Sequence, residues 1–263
     1  MKVNVKVTFK SAAVILLLSG TASATPKALP FTYGVDTNPK GAGEIEQYVD
    51  LVPVIGIDQN GAPVRTVATQ FQTEFEYGLL KNLELGIYAA IAPSTPGFDG
   101  PALTEGTGSK QRVRWRLADQ GDWPIDVALY LEVVEFSSEI ELEWKLILER
   151  RFGKLRLIAN AWFEEEFYFD GTNEFVANPT LGATYEVTPF FSPGLEGWMR
   201  FDTGGDWNGG PHGYLGPTMR LNFGNFFWTS GFYVRLDDVH HKMTPGEDAF
   251  GPVWFRTIVG VGF

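Results

Sequence analysis

Residues 253–263 read V-W-F-R-T-I-V-G-V-G-F. Counting back from the end, Phe263, Val261, Val259, Thr257, Phe255 and Val253 share one side of a period of two. Gly262, Gly260, Ile258, Arg256 and Trp254 share the other. Successive side chains of a strand point to opposite faces, so this stretch predicts a strand with one apolar face and one small or polar face. A strand of a soluble sandwich and a stave of a membrane barrel both fit that pattern. The other end of the chain separates them.

Residues 1–24 have the layout of an export signal. Lys2, Lys6 and Lys10 form a basic start, residues 11–18 an apolar core, and Ala22-Ser23-Ala24 a small-residue cleavage site. Cleavage after Ala24 is expected, leaving Thr25 first. The apolar core is too short for a membrane anchor, and no later run approaches the roughly 18 apolar residues of a spanning helix. A barrel needs no such run, because only alternate residues face lipid. The 263 residues are 44% hydrophobic and 14% aromatic, with no cysteine, which excludes disulfides and thiolate metal sites in an oxidising compartment. With 32 acidic against 21 basic residues, the chain is a poor partner for nucleic acid, and loss of the signal lysines makes it more acidic still.

Residues 25–43, rich in Pro, Gly and Thr, are read as a periplasmic N-terminal lead-in, and residues 44–263 as the barrel. Strands are expected over 44–55, 65–77, 83–91, 110–118, 125–133, 139–149, 155–163, 175–187 (broken by Pro179), 194–201, 213–222, 226–236 and the closing stretch. Many are near the length of about 9–11 residues that crosses an outer membrane at a tilt. From the third strand on, short turns mostly alternate with longer loops, the asymmetry of periplasmic turns and extracellular loops. Trp123, Phe152, Phe190 and Phe223 mark one rim; Phe163, Phe201, Trp207 and Phe250 mark the other, as interfacial aromatics do. The fold class is therefore all-β: a transmembrane antiparallel up-and-down β-barrel of about twelve strands.

Charge concentrates on the face opposite the greasy one. Lys110, Arg112, Arg114 and Arg116 alternate with Val113, Trp115 and Leu117, while Glu139, Glu141, Glu143, Lys145 and Glu149 alternate with Ile140, Leu142, Trp144, Leu146 and Leu148. An apolar outside with a polar inside resolves both faces at once. The first three strands point Glu44, Glu46, Asp50, Glu74, Glu76 and Glu84 inward, and the last four Arg200, Arg220, Arg235 and Arg256. Two readings follow. Facing strips of opposite sign set up a transverse field that selects solutes. Alternatively neighbours neutralise one another, Arg116 against Glu84 and Asp126, and Arg256 against the acidic first strand.

Catalytic signatures are missing: no HExxH, GxSxG or P-loop occurs. His212, His240 and His241 fall in expected loops, and a solvated acidic loop at 237–248 outweighs a cation site there. No catalytic residue, metal or cofactor is expected.

The terminal Phe263, with Val261, Val259 and Phe255 at alternate positions, resembles the closing strand of bacterial outer-membrane barrels. There this pattern is an assembly signal read by the barrel-assembly machinery. Segments 39–49 (P-K-G-A-G-E-I-E-Q-Y-V), 74–79 (E-F-E-Y-G-L) and 83–86 (L-E-L-G) are similar to exported bacterial barrels of unknown function. They are similar also to outer-membrane proteins of the phenol-degradation type. The resemblance implies residence among outer-membrane lipid and lipopolysaccharide, and transport of apolar or aromatic compounds. The expected function is a passive channel for small solutes, lined by Arg112, Arg114, Arg116, Glu74, Glu76, Glu84, Glu141, Glu143, Arg200, Arg220, Arg235 and Arg256. A structural or surface-binding barrel without an open pore is the alternative, and an outer-membrane hydrolase a lesser one.

Overall fold

The computed structural model describes residues 24–98, 103, 107–202, 211–237 and 250–263. Among the described residues all regular structure is β. The strands are β1 (Gly43–Ile57), β2 (Pro63–Leu80), β3 (Leu83–Ile91), β4 (Gly108–Arg116), β5 (Asp126–Phe136), β6 (Glu139–Phe152) and β7 (Leu155–Tyr168). They continue with β8 (Asn173–Ala177), β9 (Thr180–Tyr185), β10 (Phe191–Asp202), β11 (His212–Asn222), β12 (Phe226–Arg235) and β13 (Val253–Gly262).

Each strand pairs antiparallel with its neighbours, and β1 pairs with both β2 and β13, so the sheet closes on itself. A closed sheet leaves no edge, the condition for a β structure to sit in lipid. The seam register runs from Glu44 opposite Gly262 to Leu51 opposite Phe255. β8 and β9 share one stave, since both pair with β7 and with β10. The break falls at Pro179, as its missing N–H requires. The wall therefore has the expected twelve staves, one of them in two pieces.

Side-chain direction follows the period of two. Phe71, Ile87, Leu131, Leu181 and Leu195 point outward and are exposed, while Glu74, Glu76, Glu84 and Tyr130 point inward and are buried. In water such an outer surface would be an aggregating patch; in hydrocarbon it is the solvated face.

The chain ends of the barrel, Gly43 and Phe263, exchange backbone hydrogen bonds of 2.9 and 2.8 Å at one rim, called here the turn rim. There β6–β7 and β11–β12 are joined by two-residue turns whose first residues, Gly153 and Gly224, have φ of 59° and 81°. That left-handed backbone suits glycine and twists with the strands. The facing ends of β3 and β4, of β10 and β11, and of β12 and β13 lie at the opposite, loop rim. So do the short connections 137–138 and 169–172, while the turn rim carries the longer 117–125. The expected segregation of short and long connections thus holds for most of the barrel, but not all of it.

Candidate functional site

The lumen is the candidate site, and it is not empty. Much of segment 25–43, expected as a periplasmic lead-in, runs instead around the barrel interior, with Leu29, Phe31, Thr32, Val35 and Asn38 buried and 39–41 exposed. The correction has a physical cause. A segment without regular structure leaves its backbone N–H groups unpaired, and the inner wall supplies acceptors for them. Thr25 N donates to Glu44 (2.6 Å), Phe31 N and Thr32 N to Glu196 (3.0 and 2.5 Å), Tyr33 N to Asn160 (2.7 Å), Val35 N to Glu149 (3.1 Å) and Asn38 N to Glu84 (2.6 Å). In return Thr229 Oγ1 donates to Lys27 O (2.7 Å), and Asn160 Nδ2 to Tyr33 O (2.9 Å). Of the carboxylates that fasten this lumenal strap, Glu84 is an expected lining residue, Glu44 and Glu149 are expected inward charges, and Glu196 was not singled out.

Two charge clusters anchor it. Lys27 Nζ lies 2.8 Å from Glu76, 3.3 Å from Glu46 and 3.7 Å from Glu74. Asp36 lies 3.0 Å from Arg151 and 2.7 Å from Arg156, which also meets Glu149 at 2.6 Å. Burial pushes the Asp36 carboxyl upward, but Arg156 and Arg151 outweigh it and hold it below the ordinary carboxylate value of 3.8.

The arginine strand is zipped shut. Arg112 Nε donates to Glu74 (2.6 Å), Nη1 to Glu84 (2.8 Å) and Nη2 to Glu76, and Arg114 Nη2 donates to Glu84 (2.5 Å). Gly86 faces inward opposite Arg112, and a Cβ there would stand 2.6 Å from Arg112 Nε, so glycine lets the guanidinium cross β3. Arg116 does not reach Glu84 or Asp126. Strand register sets Glu84 opposite Arg114 and Arg116 opposite Ala128, leaving Arg116 with Asn82 (2.8 Å) and Asp119 (3.8 Å). Arg256, as expected, closes on the first strand through Asp50.

The remaining expected lining residues also face inward. Arg200 meets Glu164 at 3.4 Å and Glu166 at 3.1 Å, Arg220 meets Ser192 at 2.9 Å, and Arg235 meets Asp237 at 2.9 Å. Glu141, Glu143 and Glu164 bring carboxylate oxygens within 4.8 Å of one another. Glu143 pairs with Lys145, whose ammonium sits 3.7 Å from the Trp162 ring, 4.0 Å from Tyr130 and 4.2 Å from Tyr33. Aromatic faces stabilise a desolvated cation of this kind. Phe255, Val259 and Val261 lie on the outer face of the seam, and Phe263 stacks on Phe75 at 6.1 Å. His240 and His241 lie outside the described residues. His212 stacks on Phe250 and is held by Asp237 (3.0 Å) and Arg235 (2.7 Å).

Above the strap, towards the loop rim, lies a hollow with about 580 Å³ of space, part of it continuous with solvent. Phe31 of the strap and Trp162, Trp198, Phe250 and Trp254 line it, with Arg200, Arg256 and Glu164. The rings pack on one another: Trp198 lies 4.8 Å from Phe31, 4.2 Å from Tyr214 and 5.3 Å from Trp254. The indole Nε1 atoms of Trp162 and Trp198 are buried and have no acceptor among the described residues. A second hollow of about 320 Å³, walled by Tyr33, Tyr48, Tyr88 and Lys145, shares Trp162 and Arg256 with the first. Sequence reasoning missed this aromatic lining and the strap beneath it. Inward positions of Trp198 and Trp254 were available from the period of two, but their convergence depends on barrel closure.

No family model and no curated protein matches the chain. Among solved structures it is similar to an outer membrane channel from Pseudomonas putida F1. That likeness has a TM-score of 0.59 at 13% identity, covering 87% of this chain and 98% of that one. It is also similar to the NanC porin, with a TM-score of 0.54 at 8% identity, covering 82% and 98%. These likenesses are of fold: the barrel is of the outer-membrane type, as the hairpin segments and closing strand suggested.

Proposed function

We propose that the protein is an outer-membrane barrel acting as a passive channel for small solutes. The loop-rim hollow is its solute-receiving mouth, and the lumenal strap its closure on the turn rim. The observation that carries this reading is the hollow itself, a recess walled by aromatic rings on the loop-rim side of Phe31. Its chemistry favours an apolar or aromatic solute, because five aromatic rings line it, and one bearing a hydrogen-bond acceptor would suit the indoles of Trp162 and Trp198, whose buried N–H groups have no acceptor among the described residues. Arg200, Arg256 and Glu164 at the same recess are the inward charges placed to influence which solutes enter. Two structures of similar fold are described as an outer membrane channel and a porin, which supports the same reading.

The structural or surface-binding reading draws on a different observation: Lys27, Asp36 and Arg112 fill the turn-rim half with ion pairs. Planar-bilayer recording separates the two. The mature chain and a chain lacking residues 25–42 are compared; the channel reading expects small or intermittent conductance that rises several-fold without the strap. Silence from both, with no swelling of liposomes in small solutes, decides for the structural reading.

A further inference from the structure

Beside the first residue of the expected mature chain lies a pocket of surplus acid. Glu44, Glu46 and Glu76 place one carboxylate oxygen each within 4.8 Å of one another, and all three side chains are buried. Lys27 serves Glu76 and Glu46. Glu44 Oε2 accepts a hydrogen bond from Thr25 N at 2.6 Å. Yet Glu44 Oε1 and Glu46 Oε1 are buried with no donor among the described residues. Buried carboxylate oxygens without donors are costly, and one amide N–H cannot serve them all. Lys27 is one charged donor here, and the two Oε1 atoms call for another with several N–H groups.

We propose that this pocket is the receptor for the α-ammonium of the mature chain, created by cleavage between Ala24 and Thr25. In the uncut chain the Thr25 nitrogen is an amide. Hydrolysis of that amide by the export signal peptidase consumes one water, leaves a carboxylate on Ala24, and leaves Thr25 as –NH3+. The nitrogen that already touches Glu44 thus gains a full charge and two more N–H donors, beside the carboxylate oxygens that lack them. Thr25 Oγ1, 3.0 Å from Asn38 Oδ1, fixes the same residue to the returning limb of the strap. A divalent cation is the poorer occupant, because Lys27 Nζ and the Thr25 nitrogen already face these oxygens. Signal removal and seating of the strap become one event: only the cut chain carries the charge that completes the pocket. The inference rests on cleavage after Ala24 and not on transport, so a barrel that conducts nothing leaves it standing.

Periodate provides the test, because it cleaves the 1,2-amino alcohol of an N-terminal Thr and needs the amine unprotonated. Protein purified from outer membranes should have the intact mass of a chain starting at Thr25 and should react readily when unfolded. When folded, it should react at least tenfold more slowly, and the double variant Glu44→Gln/Glu46→Gln should recover most of the unfolded rate. A different starting residue, equal rates folded and unfolded, or full protection in the folded double variant each overturns the proposal. If that variant does not fold, a precursor with one Gly inserted after Ala24 moves the ammonium by one residue and keeps every carboxylate. Its mature barrel should lose heat-modifiable gel mobility several degrees lower than the native one, and an unchanged temperature overturns the proposal.

Discussion

Asp50 on the first strand and Arg256 on the last face each other across the seam that closes the barrel, joined by two hydrogen bonds of 2.7 and 2.8 Å. Trp254 Nε1 donates to the same carboxylate at 2.8 Å, and the guanidinium lies 3.8 Å from the centre of the Phe31 ring. Closure, the strap and the aromatic hollow thus meet at one ion pair. Removing one partner strands a buried charge, so Arg256→Met should cost about 3–5 kcal/mol. The paired change Asp50→Leu/Arg256→Met should cost less than the single one. Urea unfolding in detergent micelles measures both, and equal losses would contradict the assignment.

Arg112 is the hub of three glutamates, Glu74, Glu76 and Glu84. Arg112→Ser should leave ion selectivity unchanged and destabilise the barrel by about 3–5 kcal/mol, because Glu74, Glu76 and Glu84 lose their shared partner. Reversal potentials in a salt gradient, read beside a melting curve, check this. A shift towards cations at unchanged stability would return Arg112 to the pore.

Asp36 makes strap seating sensitive to acid. Its carboxyl is held below 3.8 in the seated strap by Arg156 and Arg151, in spite of burial, and has its ordinary value when the strap is out. A depressed value means that its contribution is fully present above about 3.8 and is lost as pH falls through the lower, seated value. Strap release, followed as proteolysis of residues 25–42, should therefore begin only in strongly acid solution, and Asp36→Asn should loosen the strap at neutral pH. A loosening that begins near neutrality in the native chain would point to another group.

The unused indole N–H groups give a solute test. Trp198→Phe keeps a ring and removes the donor, so binding of phenol should weaken by about 2- to 10-fold, the worth of one hydrogen bond of roughly 0.5–1.5 kcal/mol. Toluene, which has no oxygen acceptor, should bind the variant as it binds the native protein. Calorimetry in detergent distinguishes the pair; equal weakening of both would mean that the ring packing, not the N–H, was disturbed.

Much of this architecture is legible in the sequence because it depends on a period of two. Ile45, Phe75 and Leu131 outward and Glu44, Glu74 and Glu132 inward are fixed by parity alone, and Pro179 announces the split stave. What escaped depends on distances across the lumen. Arg116 was matched to Glu84 by level, but the register carries Arg114 there instead. The strap has no period to read, and its burial arises only once a closed wall needs filling. One clue was present: Glu44, Glu46, Glu74, Glu76 and Glu84 outnumber the inward cations of β4, and Lys27 is a nearby cation with no other assignment.

The strap changes what the wall can do mechanically. Its hydrogen bonds reach Glu44 on β1, Glu76 on β2, Glu84 on β3, Glu149 on β6, Asn160 on β7, Glu196 on β10 and Thr229 on β12. These points lie around the whole circumference. A hollow tube flattens into an ellipse under lateral pressure from the bilayer, whereas one with internal spokes resists in every direction. The same eighteen-odd residues that narrow the passage therefore set the roundness of the barrel, and a chain without them should be softer as well as wider.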